Sequence, residues 1–173
     1  MYAAISKILS SFFKQSTIFK YGFNVSPMYR RSTGKIIEVS EDLFNVKVKI
    51  PISYKNKNYV GSVFGGSLFS ATDPIFMIQL MNILGDDYVV WDKAAVIKYK
   101  RPARENAFAK FLFSKEEINQ IKNNILVQKE IDIKKQVNIV NQSGIVFAEV
   151  TKTIYISQKS YYKEKVKSRK SNS

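Results

Sequence analysis

One long apolar segment constrains the fold of this chain more than any other feature. From Leu68 to Leu84 almost every position is apolar or small, and Gly85 follows directly. A helix of this composition is hydrophobic on all sides, so most of its faces must be buried. Glycine is the residue that most often follows the end of a helix, which predicts an end at Gly85. The rest of the chain therefore has to enclose one buried helix.

Two strand patterns precede the apolar segment. Lys35 to Val39 is short and rich in β-branched residues. Between Phe44 and Ile50 apolar residues alternate with polar ones, which indicates a strand with one buried face, and Pro51 ends it. The sequence thus predicts two strands before the helix.

Four strand patterns follow the apolar segment. They lie at Ala95 to Tyr99, Phe108 to Phe113, Val127 to Val140 and Ile145 to Ile156. The last two are joined by Asn141 to Gly144, which predicts a hairpin loop. Ser114 and Glu117 have the spacing of a capping box, and they predict a short polar helix that ends near Asn124.

The predicted order is two strands, one buried helix and four more strands. A curved antiparallel sheet can wrap a single helix, so we expect an α+β hotdog fold with such a sheet around one long apolar central helix. The edge strand of an open sheet favours pairing between copies, which predicts a homodimer or homotetramer.

The chain divides into three parts in this prediction: an N-terminal amphipathic helix or extension over residues 1–20, a hotdog domain over residues 21–157 and a basic flexible tail over residues 158–173. Apolar residues in the first part recur at helical spacing, at Ile5, Ile8, Leu9, Phe12 and Phe13. Three interpretations stay open: a helix packed at the domain edge, an amphipathic helix on a membrane surface, or an organellar transit peptide. No apolar run is expected to span a bilayer, and a cytoplasmic location is predicted, with organellar targeting left open.

Two absent residue types restrict the chemistry. The chain contains no His and no Cys, which excludes a histidine base, a thiolate nucleophile and their metal sites. Any catalysis must use carboxylates, hydroxyls, amides, amines or backbone dipoles. A site of oxygen ligands stays open in principle, but no clustered acidic loop supports it, so neither a metal nor a cofactor is expected.

A formal net charge of +14 favours an anionic partner. Anionic lipid, an acidic carrier protein, coenzyme A and nucleic acid would all fit this charge. The chain has no recognised nucleic-acid-binding motif, so no nucleic acid is expected.

A short motif precedes and enters the apolar helix. Asn58 lies six residues before Phe64, Gly65 and Gly66 follow, and Asp73 lies nine residues after Phe64. This pattern resembles the signature of PaaI-like hotdog thioesterases, which have Asn, then His-Gly-Gly, then Asp or Glu in the central helix. The segments Val90 to Ala95 and Tyr99 to Pro102 resemble an uncharacterised subgroup of that superfamily, of the DUF4442 type.

The resemblance implies a role for each residue of the motif. Asp73 would activate water or attack the thioester carbonyl. The backbone N–H of Gly65 would polarise the carbonyl oxygen, because free N–H groups and the helix dipole converge at a helix start. Asn58 would orient the water or hold the carbonyl. Gly66 would let the substrate approach the backbone closely.

The chain departs from the family pattern at Phe64, where the family has His. Phe64 would then line the substrate pocket. The family also uses a polar residue of the partner subunit on the next strand, which by position falls near Asp92 or Lys93. Lys100 and Arg101, in a basic run with Lys98 and Arg104, would bind the phosphates of coenzyme A or an acidic carrier protein, unless they form only a solvated strand face.

Asp73 also has a purely structural interpretation. An aspartate followed by proline is a common helix start, with Asp73 as the N-cap and Pro74 at the first helical position. The resulting hypothesis is a thioesterase for acyl-coenzyme A or acyl-carrier protein that uses a carboxylate and a backbone oxyanion hole. The alternative is a non-catalytic hotdog module that binds acyl thioesters or a protein partner. A protein of nucleic acid or membrane surfaces has only the net charge in its favour.

Overall fold

A computed structural model describes residues 13–171 of the chain. The helices of this range are α1 (Gln15–Val25), α2 (Pro27–Arg31), α3 (Gly65–Thr72), α4 (Ile75–Leu84), α5 (Lys115–Gln128) and α6 (Lys159–Ser171). The strands are β1 (Lys35–Val39), β2 (Asn45–Ile50), β3 (Tyr88–Tyr99), β4 (Ala107–Leu112), β5 (Glu130–Val140) and β6 (Val146–Gln158).

The six strands form one antiparallel sheet in the order β1-β2-β4-β5-β6-β3. The long strand β6 pairs with β5 on one side and with β3 on the other, so β3 is an edge of the sheet. Two strands, the apolar helical segment and four strands follow one another as expected. The hotdog fold predicted from the sequence is confirmed.

The apolar segment is not one uninterrupted helix. It divides at Asp73 and Pro74 into α3 and α4, because proline has no N–H to donate to the preceding turn. Phe76 of α4 packs edge-on against Phe111 and Phe113, with ring centroids 4.8 and 5.6 Å away. By length and composition Gly65–Leu84 could cross a membrane, with a mean hydropathy of 1.2. Here it is the core helix against the sheet.

The hairpin and capping predictions are confirmed, with one shifted boundary. The Ser114 hydroxyl accepts a hydrogen bond from the Glu117 N–H at 3.1 Å, and Gly144 takes a positive φ of 87° in the β5–β6 loop. Helix α5 continues to Gln128 rather than ending near Asn124. The extension occurs because Ile118, Ile121 and Ile125 recur at helical spacing and are buried, and β5 consequently begins at Glu130 instead of Val127.

The N-terminal boundary and the C-terminal tail differ from expectation. Residues 1–12, which carry most of the predicted amphipathic pattern, lie outside the described residues. Helix α1 is fastened to the sheet by Asn24, whose side chain bonds both the N–H and the carbonyl of Ile36 at 2.9 and 2.8 Å. The residues expected to form a flexible basic tail instead form α6. Its Lys165 Nζ lies 2.5 Å from a Glu130 carboxylate oxygen, which fixes the helix against the sheet.

Candidate active site

The Asn58 side chain organises the loop before α3. Its Oδ1 accepts hydrogen bonds from the N–H of Val60 at 3.1 Å, the N–H of Ser62 at 3.0 Å and the Ser62 hydroxyl at 3.2 Å. Because two backbone donors fix Oδ1, the Nδ2 group points away from them, and it has no hydrogen-bond partner among the described residues. Asn58 thus holds the turn through its Oδ1 and keeps its side-chain NH₂ group free to donate.

The start of α3 presents two free backbone donors. The N–H groups of Ser67 and Leu68 bond to the Phe64 carbonyl at 2.9 and 3.2 Å. The N–H groups of Gly65 and Gly66 have no acceptor in the described part of the chain, as is usual for the first turn of a helix. Such a pair can polarise a carbonyl oxygen or bind an anion.

A side chain at either glycine would displace an aromatic neighbour. A Cβ at Gly65 would lie 2.8 Å from the Tyr99 hydroxyl oxygen. A Cβ at Gly66 would lie 2.3 Å from the ring of Phe64, whose side chain is exposed and covers Gly66. The Gly-Gly pair therefore allows Tyr99 and Phe64 to approach the helix start.

Asp73 belongs to a buried charge cluster that joins three elements. Lys152 of β6 is only 2% exposed, and its Nζ lies 2.6 Å from Asp73 Oδ1 and 2.8 Å from Asp92 Oδ2. The Asp73 side chain is 48% exposed, whereas that of Asp92 on β3 is 19% exposed. Burial raises the pKa of the Asp92 carboxyl, although Lys152 opposes this effect. Asp92 Oδ1 is buried without a hydrogen-bond partner in the described structure.

The interpretation of Asp73 as a helix N-cap is wrong. Its backbone is helical, with φ −53° and ψ −55°, and it ends α3. Pro74 precedes α4, and no side chain caps that helix. The Asp73 carboxylate turns to Lys152 because the lysine offers a charged donor, and its Oδ2 has no hydrogen bond to the described residues.

Gly65 and Asp73 lie at opposite ends of the same helix, α3. Eight residues separate them, which corresponds to about 12 Å along a helix axis. A thioester carbonyl that accepts a hydrogen bond from the Gly65 N–H is therefore too far from Asp73 of the same chain for direct attack.

The remaining predicted residues lie in different surroundings. Lys93 does not reach the charge cluster. It forms an ion pair with Asp132 of β5 at 2.6 Å, beside a bulge in the β3–β6 pairing. Lys100 and Arg101 come directly after Tyr99 and so lie near the start of α3. Lys100 pairs with Glu149 at 3.0 Å, and Arg101 is exposed.

Lys152 is a site residue that sequence reasoning missed, although β6 carried a signal for it. Residues of this strand that face the helix are spaced by two and are fully or almost fully buried: Ala148, Val150, Lys152, Ile154 and Ile156. A lysine in the middle of an inward-facing apolar row requires a buried partner. Residues 13–171 contain no group of three carboxylates placed to hold a metal.

An antiparallel sheet around an apolar helix that starts at a glycine pair defines a hotdog-fold protein. A protein of unknown function from Pseudomonas aeruginosa, described as a probable thioesterase, has this fold with a TM-score of 0.73 and 16% identity over 82% of this chain and 95% of its own. The PaaI protein of the Escherichia coli phenylacetic acid degradation operon gives 0.56 and 17% over 83% and 91%. Thioesterase HI1161 of Haemophilus influenzae gives 0.59 and 12% over 83% and 90%.

The sequence assigns the chain to a narrower group of proteins than the fold does. It belongs to the family described as "Domain of unknown function (DUF4442)", whose model matches residues 15–156. None of the curated proteins matches it.

Proposed function

We propose that the protein hydrolyses acyl thioesters of coenzyme A or of an acyl-carrier protein. The observation that carries this proposal is that helix α3 has two free N–H groups at its start and a half-exposed aspartate at its end. The N–H groups of Gly65 and Gly66 suit a developing oxyanion, and Asp73 suits a base or a nucleophile. Proteins with the same fold that are described as thioesterases support this choice.

The separation of about 12 Å between Gly65 and Asp73 requires a second copy of the chain. We propose a homodimer or homotetramer in which Gly65 of one chain faces Asp73 of another. The free edge of β3 supports this assembly, because Trp91, Val96 and Tyr99 are 42%, 55% and 54% exposed along it. Pairing of two such edges would cover these side chains and the unpaired backbone groups of both strands.

The chemistry follows from the groups available. The Gly65 N–H and the free Nδ2 of Asn58 hold the carbonyl oxygen or the water. Asp73 removes a proton from the attacking water, or it attacks the acyl carbon itself. In the first route the carbon–sulfur bond breaks as Asp73 returns that proton to the departing thiolate, and the carboxylic acid is released. In the second route the carbon–sulfur bond breaks to give thiolate and an acyl anhydride on Asp73, and a water molecule then hydrolyses the anhydride, supplies the proton of the thiol and regenerates Asp73. Lys100 and Arg101, close to the helix start, bind the phosphates of the carrier group.

A second candidate function rests on Phe64. Phe64 stands where the PaaI-like thioesterase pattern has His, and its ring covers Gly66. This favours a module that binds acyl thioesters without cleaving them. Enclosure of the apolar helix by the sheet supports a soluble protein for either function, and its cytoplasmic location stays a proposal.

Turnover of an acyl-coenzyme A panel, from acetyl to long-chain and aryl groups, tests the proposal. Free thiol is measured with a chromogenic reagent, which is practical because the protein has no Cys. We expect Asp73→Asn to abolish most of the turnover and Asp42→Asn, in the β1–β2 turn, to retain it. Full activity of Asp73→Asn would refute the role of this carboxylate. Binding of acyl-coenzyme A without turnover by the wild type would select the non-catalytic module.

A further inference from the structure

Lys152 is the most unusual buried group in the described part of the chain. Its side chain is 2% exposed and lies between Val150 and Ile154 in the inward-facing row of β6. Removing an ammonium group from water costs free energy, and an apolar residue of similar volume at such a position is frequently as stable or more so. Packing alone therefore does not explain a lysine here.

The lysine connects two carboxylates that come from distant parts of the chain. Asp73 lies between α3 and α4, and Asp92 lies on the edge strand β3, yet both reach the same Nζ within 2.8 Å. Lys152 bonds one oxygen of Asp73, Oδ1, and leaves Oδ2 free. A carboxylate bound in this way has a fixed orientation, with a defined oxygen turned away from the lysine.

The neighbouring charges do not compete for this ammonium group. The partner of Lys152 across β5 is Lys135, whose Nζ bonds both carboxylate oxygens of Glu117 at 2.8 and 2.9 Å. Its partner across β3 is the uncharged Ala95. Lys135 is thus balanced by Glu117, and Lys93, which directly follows Asp92, is balanced by Asp132 at 2.6 Å.

We infer that Lys152 is a positioning residue for thioester hydrolysis, and that Asp92 assists it by holding the ammonium group from the other side. The bridge turns Asp73 so that Oδ2 faces the substrate. This inference rests on the proposed function. It adds Lys152 to the site and gives Asp92 a defined role, and neither residue contacts the thioester.

The test compares the buried Lys152 with the partly buried Lys135 on the neighbouring strand of the same sheet. Lys152→Met is expected to lower kcat about 100-fold with KM unchanged, because a shift of about 1 Å in a reacting group costs this much. Lys135→Met, its matched control, is expected to reduce thermal stability and to retain kcat. Lys152→Arg is expected to recover part of kcat, because a guanidinium group can bond two carboxylates. Wild-type kcat in Lys152→Met, or an equal loss in Lys135→Met, would overturn the inference.

A second variant covers a failure of Lys152→Met to fold. Asp92→Asn keeps the lysine and removes one of its two charged partners. We expect a smaller loss of kcat with KM unchanged, in a protein whose circular dichroism matches the wild type. Unchanged kcat in this variant would also overturn the inference.

A titration without substrate separates this inference from the proposed function. Carbon-13 NMR of labelled aspartate carboxyls follows Asp92 directly, with Asp92→Asn used to assign its signal. The pKa of Asp92 is expected to rise in Lys152→Met and to fall in Asp73→Asn, because Lys152 lowers it and the charge of Asp73 raises it. An unchanged titration would show that the three groups are not coupled. Absence of turnover in the wild type would refute hydrolysis alone.

Discussion

The oxygen and the nitrogen of the Asn58 side chain have different surroundings, and a pair of substitutions can test their roles separately. Oδ1 holds the loop through Val60 and Ser62, whereas Nδ2 is free. Asn58→Asp keeps an oxygen acceptor and removes the donor. Asn58→Ala removes both. If the structural account is right, only the alanine variant loses stability, and both variants lose activity.

The expected loss of stability follows from the burial of the donors. Val60 is exposed, so water can replace the bond to its N–H. Ser62 is only 4% exposed, so its N–H and hydroxyl lose their acceptor in Asn58→Ala. At about 0.5–1.5 kcal/mol for each hydrogen bond, the free energy of unfolding falls by about 1–3 kcal/mol. For a chain of this length Tm falls by about 2–4 °C per kcal/mol. Asn58→Asp should unfold near the wild-type temperature.

The activity of the same variants tests the donor. Loss of one hydrogen-bond donor to an oxyanion typically costs about 100- to 1000-fold in rate, so we expect kcat/KM for the best acyl-coenzyme A substrate to fall by this factor in both variants. Thermal unfolding and thiol release on the same preparations provide the two readouts. An active Asn58→Asp protein would show that Nδ2 is not used. An aspartate variant as unstable as the alanine variant would refute the role of Oδ1 in the loop.

Two further predictions concern pH and the C-terminal helix. The pKa of Asp92 is raised above 3.8 in the folded protein, so this group's contribution to the free energy of unfolding is lost as pH rises from 3.8 through the folded-state pKa. Denaturation at a series of pH values should therefore show the stability of the wild type falling relative to that of Asp92→Asn over this range, and a constant difference between the two proteins would contradict it. Glu130→Gln should release α6, because the Glu130 carboxylate binds Lys165 and the Tyr155 hydroxyl. Faster amide hydrogen exchange in residues 159–171 with little change in Tm is expected, and unchanged exchange would refute this attachment.

The fold could be predicted because its signals are local. The apolar residues from 68 to 84 require enclosure, and the alternating segments on both sides supply a sheet. The motif from Asn58 to Asp73 is also local, so its residues could be proposed from spacing alone. The distance between Gly65 and Asp73, on which the proposed two-chain site rests, follows from helix geometry once α3 has been located.

The charge cluster could not be predicted because its members are distant in the sequence. Lys152 meets Asp92 only through the register of β6 with β3, and it meets Asp73 only because the helix break lies above the same strand. The C-terminal helix was missed for a similar reason. Its composition is that of a solvated tail, and the attachment point, Glu130, lies about thirty residues earlier in the chain.

The buried lysine also helps to determine the register in which β6 pairs with its neighbouring strands. A shift of β6 by one residue would turn its apolar row outward, and the hydrophobic pattern alone rejects it. A shift by two residues would keep apolar side chains inward, so hydrophobicity hardly distinguishes it from the native pairing. That shift would move Lys152 about 7 Å along the strand, away from Asp73 and Asp92, and leave three charges without partners. The charge cluster therefore disfavours a sheet shifted by two residues, which the burial of apolar side chains alone would hardly distinguish from the native sheet.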